Sequence, residues 1–150
     1  EIPYREAFEW KKDKDSPGMP YWYRDSGPWW NTSTVKSNDG ISVEEQENDP
    51  NSLLSTYKTL IKLRSDFPVL INGKYQSLAN TSKNIVSFYR DNGKEKAMVF
   101  INISEQEEKI DLPMEQGKPK LVFGDNKGQS TANNLQIAVP GYGTQVWILN

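Results

Sequence analysis

Alternation of apolar and polar residues in the second half of the chain restricts the fold more than any other feature of the sequence. From about residue 75 onward, apolar side chains recur at every second position in short runs, which is the repeat of a half-buried β-strand. No helical pattern interrupts the series, so we expect antiparallel pairing rather than a parallel sheet with crossover helices. The predicted strands cover residues 75–78, 85–90, 97–103, 109–112, 121–123, 135–139 and 145–149.

Turn residues separate these runs and predict how two of them connect. Asp91-Asn92-Gly93 lies between the second and third runs, and Asn-Gly readily accepts the positive φ angles of a tight hairpin turn. Residues 140–143, Pro-Gly-Tyr-Gly, form a second turn before the final strand. The region is therefore predicted to be an antiparallel Greek-key β-sandwich, with Trp147 of the last strand as a core or edge residue.

One amphipathic helix is predicted before the strands. Asp49 is the expected N-cap, Pro50 suits the first turn, and Phe67-Pro68 ends the helix. One side is polar, so the apolar stripe on the other side requires a partner surface. The stripe consists of Leu53, Tyr57, Leu60 and Ile61, followed by Arg64.

Residues 1–50 show neither a helical nor a strand period and contain several Pro and Gly residues, which indicates a long irregular loop. Four of the five Trp residues of the chain lie in it. Long loops are usually functional or disordered, and such an aromatic content argues against disorder. We expect this segment to pack on another surface.

Composition removes several classes of function. The chain has no Cys and no His, which excludes disulfides, thiolate chemistry, a Ser/His/Asp triad and the usual zinc sites. A formal net charge of −2 without a basic stripe disfavours nucleic acid as a partner, and no apolar run is long enough to predict a membrane span. With 150 residues, the chain is too short for a complete β/α barrel. Since it begins at Glu1 rather than Met, we expect it to be part of a longer protein.

Residues 2–10, Ile-Pro-Tyr-Arg-Glu-Ala-Phe-Glu-Trp, resemble the Arg-x-Pro-Phe/Met-x-Trp stretch that follows the last barrel strand in alpha-amylase-family glycoside hydrolases and their oligoglucosidase relatives. Arg5, Phe8 and Trp10 match this pattern, whereas Ala7 stands where it usually has Pro. Residues 42–54 and 57–64 are similar to the approach to the eighth barrel helix of the family, including its Leu-Ile-x-Leu-Arg ending.

The resemblance implies a division of the chain into two parts. Residues 1–66 would be the last loop and eighth helix of a β/α barrel, and residues 67–150 the C-terminal β-sandwich called domain C. The family's nucleophile, acid/base Glu and stabilising Asp lie on earlier barrel strands, in motifs that contain His, and no position here matches them. The parent enzyme is expected to hydrolyse α-1,4-glucosidic bonds in starch or maltooligosaccharides by the retaining route, and this chain alone is expected to be inactive.

Aromatic and guanidinium groups near the start are the candidate substrate-binding residues, because glucose rings stack on aromatic faces and guanidinium donors suit hydroxyl groups. Each of them could equally anchor the loop. The candidates are Arg5, Trp10, Trp22, Trp29 and Trp30, with Tyr23 as a further aromatic residue of the same segment.

Acidic residues in the same segment are interpreted as a solvated face. Nothing apolar nearby is expected to raise one pKa, as a local pair for glycoside hydrolysis would require. An Asp-x-Asp at Asp13 and Asp15 is too little for a calcium loop, so no cofactor or metal is assigned to this chain, although calcium remains possible in the missing part of the parent enzyme. The acidic residues are Glu6, Glu9, Asp13, Asp15 and Asp25.

Several alternatives stay open. The chain could be a noncatalytic carbohydrate-binding module or a purely structural tail, and the parent could be an oligo-1,6-glucosidase or a transglycosylase. The expected partners are an α-glucan or maltooligosaccharide and the N-terminal catalytic barrel of the same protein, with neither nucleic acid nor membrane. The compartment is extracellular or unknown.

Overall fold

A computed structural model describes residues 6–20, 34–114, 118–125, 128–130 and 134–149, and for residues 128–130 only the backbone. The chain divides into two compact units, Glu1–Ile61 and Lys62–Asn150. Among the described residues, no helix is long and apolar enough to cross a membrane.

In the described part of the chain, three helices precede the strands. They are α1 (Val43–Glu47), α2 (Leu53–Asp66) and α3 (Val69–Asn72). The predicted amphipathic helix is α2, and it ends directly before Phe67-Pro68 as expected. The short helices were not predicted: α1 lies within the segment interpreted as an irregular loop, and α3 is a single turn.

The N-cap prediction for α2 was wrong. Ser52, not Asp49, precedes the first helical residue, and its Oγ accepts a hydrogen bond from the backbone N–H of Ser55 at 3.1 Å. Asp49 instead closes the preceding turn, where its Oδ1 accepts from the N–H of Asn51 at 2.8 Å. Both side chains are good caps, and only the position at which the backbone turns selects between them.

Eight strands follow among the residues that the structure describes. The seven predicted strands are confirmed to within about one residue at each end, as expected for boundaries drawn from a pattern. β6 was missed because a three-residue Gly-Gln-Ser strand has no apolar alternation. The strands are β1 (Lys74–Ser77), β2 (Ile85–Asp91), β3 (Lys96–Asn102), β4 (Glu108–Pro113), β5 (Lys120–Phe123), β6 (Gly128–Ser130), β7 (Asn134–Val139) and β8 (Thr144–Leu149).

The strands form two antiparallel sheets, which confirms the predicted sandwich. One sheet has the order β1-β2-β3-β8-β5 and the other the order β4-β7-β6. Because β4 and β7 pair in one sheet while β3 and β8 pair in the other, the chain crosses between the sheets, as in Greek-key connections.

A buried core fills the space between the sheets. Alternate residues of β3, β4, β7 and β8 point into it, which is the period-two burial expected of a sandwich. Trp147 is 4% exposed and belongs to this cluster, so its predicted core position is confirmed. The other buried members are Ile85, Met98, Phe100, Ile110, Leu112, Met114, Leu135, Ile137 and Val139.

The described residues cover the opposite face of the five-stranded sheet only in part. Leu63 from the end of α2 packs on Val99 and Val146, while Val69 of α3 packs on Ala97 and Ile148. Toward β1 and β2 this cover ends. There Tyr75, which is 61% exposed, lies 5.3 Å from the ring of Phe88, and Val86 is also exposed.

The β2–β3 hairpin forms at the predicted position with a different turn. A two-residue type I′ turn would place both Asn92 and Gly93 at positive φ, but only Gly93 has one, at 81°. The connection has four residues, closed by a hydrogen bond from the N–H of Asn92 to the carbonyl of Glu95 at 3.2 Å. The Asn92 side chain accepts from the N–H groups of Lys94 and Glu95 and so stabilises the longer loop.

Candidate functional site

The N-terminal segment is ordered by hydrogen bonds to the start of α1. The carbonyl oxygens of Glu9 and Trp10 accept from the N–H groups of Val43 and Glu44 at 2.8 and 3.1 Å. First-turn N–H groups have no partner within a helix, so the backbone carbonyls of residues 9–10 satisfy donors that would otherwise face water. The described part of this segment is therefore fixed by specific hydrogen bonds, and it contains a helix that the prediction of an irregular loop did not include.

A capping box fixes α1 itself. The Ser42 Oγ accepts from the N–H of Glu45, and the Glu45 carboxylate accepts from the N–H of Ser42. The same carboxylate accepts from the N–H of Gly40 at 3.1 Å. The hydrogen bond from the Ser42 side chain is the main cause that lowers the pKa of Glu45, with the backbone donors and Lys12 adding to it. Glu45 is thus held ionised as a structural group.

Two aromatic rings stand on the surface of this segment. The ring centroids of Phe8 and Trp10 are 4.8 Å apart and the planes are inclined by 55°. The two residues are 61% and 54% exposed, although neighbouring backbone atoms are hydrogen-bonded to α1. A tilted aromatic pair on a fixed backbone offers apolar faces of the kind on which pyranose C–H groups pack.

Glu9, between the two rings in the sequence, departs from the prediction for the acidic residues. Its pKa is raised above the usual value, first by partial burial and then by the negative charges of Asp39, Glu6 and Glu45. The expectation that nothing nearby would raise a carboxyl pKa was therefore wrong at this position. Burial is the largest cause of this shift, and two of the three charges, Asp39 and Glu45, come from residues far along the chain, which the local pattern did not bring together.

Glu6 is engaged by Thr34. The backbone N–H and the Oγ1 of Thr34 donate to the two carboxylate oxygens of Glu6 at 2.6 and 2.8 Å. Both contacts join residues 28 positions apart, so this carboxylate closes the segment onto itself. Its geometry is that of a structural contact.

Of the predicted substrate-binding residues, Trp10 is described and is exposed. Phe8 was not among the candidates, although it belongs to the matching motif, because only Trp and Tyr rings were considered as platforms. The role of Trp10 in binding stays a prediction, as do those of the remaining candidates, which lie outside the described residues. They are Arg5, Trp22, Tyr23, Trp29 and Trp30.

Among the residues that the structure describes, no three or more acidic groups are arranged so that they could hold a metal ion. Asp13 uses its Oδ1 to accept from the N–H of Asp15 and the Oγ of Ser37, at 3.0 and 3.1 Å. The Asp-x-Asp therefore forms a turn.

The apolar stripe of α2 lacks a partner within the described part of the chain. Its members, Leu53, Tyr57, Leu60 and Ile61, are between 36% and 66% exposed. By contrast, Leu63 on another side of the same helix is buried. An amphipathic helix normally buries its apolar stripe against another surface, so a stripe left exposed to water is unusual.

Comparison with known proteins identifies the family. Residues 85–146 match the family model described as the alpha-amylase SusG C-terminal domain. Probable oligo-1,6-glucosidase 3 of Bacillus subtilis (strain 168) is 32% identical over 102 residues, which are 63% of this chain and 18% of that protein. Probable oligo-1,6-glucosidase 2 of the same organism is 27% identical over 147 residues, or 97% of this chain and 25% of that protein.

Solved structures agree. An alpha-amylase from H. orenii superposes with a TM-score of 0.75 and 29% identity, over 97% of this chain and 28% of that one. The chain thus spans about a quarter or less of the length of the curated relatives named above.

Proposed function

This chain belongs to the alpha-amylase family of glycoside hydrolases and corresponds to the C-terminal part of its members, and we propose that it completes an enzyme that hydrolyses α-glucosidic bonds in short α-glucans. The observation that carries a role in substrate contact is the exposed Phe8–Trp10 pair, held in place by α1. It lies in the segment that matches the family motif after the last barrel strand.

The proposed division of labour follows the two parts of the chain. Residues 1–66 supply the last loop and helix of a β/α barrel, and residues 67–150 supply the β-sandwich. The uncovered stripe of α2 supports this division, because four apolar side chains would gain burial against the rest of a barrel. The uncovered part of the five-stranded sheet around Tyr75 and Val86 provides a second surface of the same character.

Bond cleavage is assigned to carboxylates outside this chain. Retaining hydrolysis needs a general acid and a nucleophile about 5–5.5 Å apart, flanking the bond. Among the described acidic residues, Glu6 and Glu45 are already occupied by structural hydrogen bonds. We therefore expect no hydrolysis of soluble starch by the 150-residue chain and activity from the longer protein. Activity of the short chain would contradict this assignment.

The role of the aromatic pair is tested in the longer protein with maltotriose. Replacing Trp10→Ala removes one ring face, and we expect KM to rise about fivefold with little change in kcat, since loss of an aromatic contact is worth roughly 1 kcal/mol. Trp10→Phe keeps a ring and is the matched control, for which KM should stay within about twofold. An unchanged KM in Trp10→Ala would show that the pair only anchors the segment.

A second candidate specificity is supported by the names of the relatives. Several of them are called oligo-1,6-glucosidases, whereas Alpha-amylase 3 of Dictyoglomus thermophilum (strain ATCC 35947 / DSM 3960 / H-6-12) and the H. orenii enzyme carry the amylase name. The kcat/KM of the longer protein on maltotriose and on isomaltotriose separates the two. A ratio that favours maltotriose supports α-1,4 hydrolysis, and the reverse supports α-1,6 hydrolysis.

A further inference from the structure

The turn before the last strand presents one aromatic side chain to solvent in an unusual conformation. Tyr142 is 70% exposed and has a φ of 54°, in the left-handed region that bulky residues rarely adopt. The turn is closed by a hydrogen bond from the N–H of Gly143 to the carbonyl of Pro140 at 2.8 Å. A strained residue of this kind persists only where its surroundings hold it.

Asn102, a buried residue at the end of β3, stabilises the turn that contains Tyr142. Its Nδ2 donates to the carbonyl oxygens of Gln106, Val139 and Pro140 at 2.7, 3.0 and 3.1 Å. Its Oδ1 accepts from the N–H and the Oγ of Ser104 at 2.9 and 2.8 Å. One buried amide therefore ties the loop at residues 103–106 to the turn at residues 140–143.

The two loops also touch through their backbones. The N–H of Tyr142 donates to the carbonyl of Ser104 at 2.9 Å. At Gly141 a Cβ atom would lie 1.9 Å from the carbonyl oxygen of Glu105, so only glycine permits this approach. Tyr142 is consequently displayed on a rigid surface together with the exposed residues Glu105 and Gln106.

We propose that Tyr142, Glu105 and Gln106 form a second, noncatalytic binding site for an α-glucan chain on the β-sandwich. The tyrosine ring provides an apolar face for the C–H groups of one glucose unit, and the neighbouring carboxylate and amide suit hydroxyl groups of the next. Because the loops are fixed in advance, binding costs little ordering entropy. The choice of α-glucan as ligand rests on the proposed function.

Titration of the 150-residue chain with maltoheptaose, followed by calorimetry, tests the site. The wild-type chain should bind saturably, and Tyr142→Gly should lower the affinity at least about fivefold, because one ring contact is lost. The same variant should keep its Tm or raise it by up to about 4 °C, since glycine relieves the left-handed strain. Tyr142→Phe keeps the ring, and Tyr75→Ala removes an exposed ring elsewhere; both should bind like the wild type.

Two results overturn the proposal: no saturable binding by the wild type at the solubility limit of maltoheptaose, or equal affinity of the wild type and Tyr142→Gly. A fall in Tm for Tyr142→Gly without loss of affinity would assign the tyrosine to packing, which also overturns it. The experiment measures binding and not hydrolysis. A longer protein without glucosidase activity would contradict the proposed function while leaving this result unaffected.

Discussion

Replacing Gln145→Leu is expected to destabilise the sandwich strongly although leucine has a similar volume. Gln145 is fully buried on β8. Its Nε2 donates to the carbonyl oxygens of Asp125 and Ala138, both at 2.9 Å, and its Oε1 accepts from the Trp147 Nε1 at 3.1 Å. The side chain thus links β8 to β7 in the other sheet and to the segment that follows β5.

The size of the effect follows from these three hydrogen bonds. A net contribution of about 1 kcal/mol each predicts a loss of about 3 kcal/mol in the free energy of unfolding. Each partner left buried without a hydrogen bond adds to this loss, and the gain from extra apolar surface offsets part of it. Since domains unfold with about 5–15 kcal/mol, the change is a large fraction of the total.

Urea denaturation, followed by fluorescence, provides the measurement. Gln136→Leu is the matched control, because Gln136 lies on β7 with its side chain exposed, and it should change the free energy of unfolding by less than about 0.5 kcal/mol. The midpoint should fall for Gln145→Leu with an unchanged m-value. A difference between the two variants below about 1 kcal/mol would refute the view that this network holds the sheets together.

Three further changes test other parts of the structure. Glu9→Gln removes a carboxyl group whose ionisation is disfavoured by burial and by Asp39, so the variant should be more stable than the wild type at neutral pH. This advantage should appear as pH rises from the ordinary glutamate pKa of 4.5 through the raised pKa of the folded state. Measuring Tm against pH for both proteins provides the check. Gly141→Ala should lower the free energy of unfolding by about 3 kcal/mol, because the added Cβ atom would collide with the backbone of Glu105. Gly93→Ala should lower it by only about 1 kcal/mol, since space is open there and only the positive φ is unfavourable. In the longer protein, Ile61→Lys should lower Tm more than Ile61→Val, because the stripe of α2 would be desolvated there.

Each of these has a contrary outcome. A Glu9→Gln advantage that persisted below pH 4.5 would assign it to something other than ionisation. Equal losses for the two glycine variants would mean that the turn at Gly141 relaxes freely. A Tm of the longer protein unaffected by Ile61→Lys would show that the α2 stripe remains in water.

Local patterns predicted most of the sandwich because the alternation of apolar and polar residues in a strand can be recognised from neighbouring positions. Seven of the strands follow directly from apolar side chains at every second position, and the end of α2 follows from Pro68. β6 was not predicted because its three residues show no alternation of apolar and polar side chains. The correct cap of α2 could not be chosen from sequence, since Asp49 and Ser52 are both suitable and the backbone path decides between them.

The candidate site was less predictable than the fold. Trp10 was a candidate from its ring and its motif, whereas the contact between the rings of Phe8 and Trp10, on a backbone hydrogen-bonded to α1, became visible only in the structure. The raised pKa of Glu9 depends first on its partial burial and then on charges that include Asp39, thirty positions away, and neither its burial nor the approach of Asp39 can be read from neighbouring residues. Tyr142 could have been noticed as the aromatic residue of a Pro-Gly-Tyr-Gly turn, but its conformation and exposure could not.

The sequence by itself determined the class of fold, the order of its elements and the family, because these rest on short-range alternation, turn chemistry and motif spacing. Tertiary structure decided which residues share a surface: that Asn102 ties two distant loops together, that Gln145 joins the sheets and that the stripe of α2 remains uncovered by the described residues. The physical reason is that burial and hydrogen-bond partners come from residues far apart in the chain, so a local pattern predicts the elements but not their contacts.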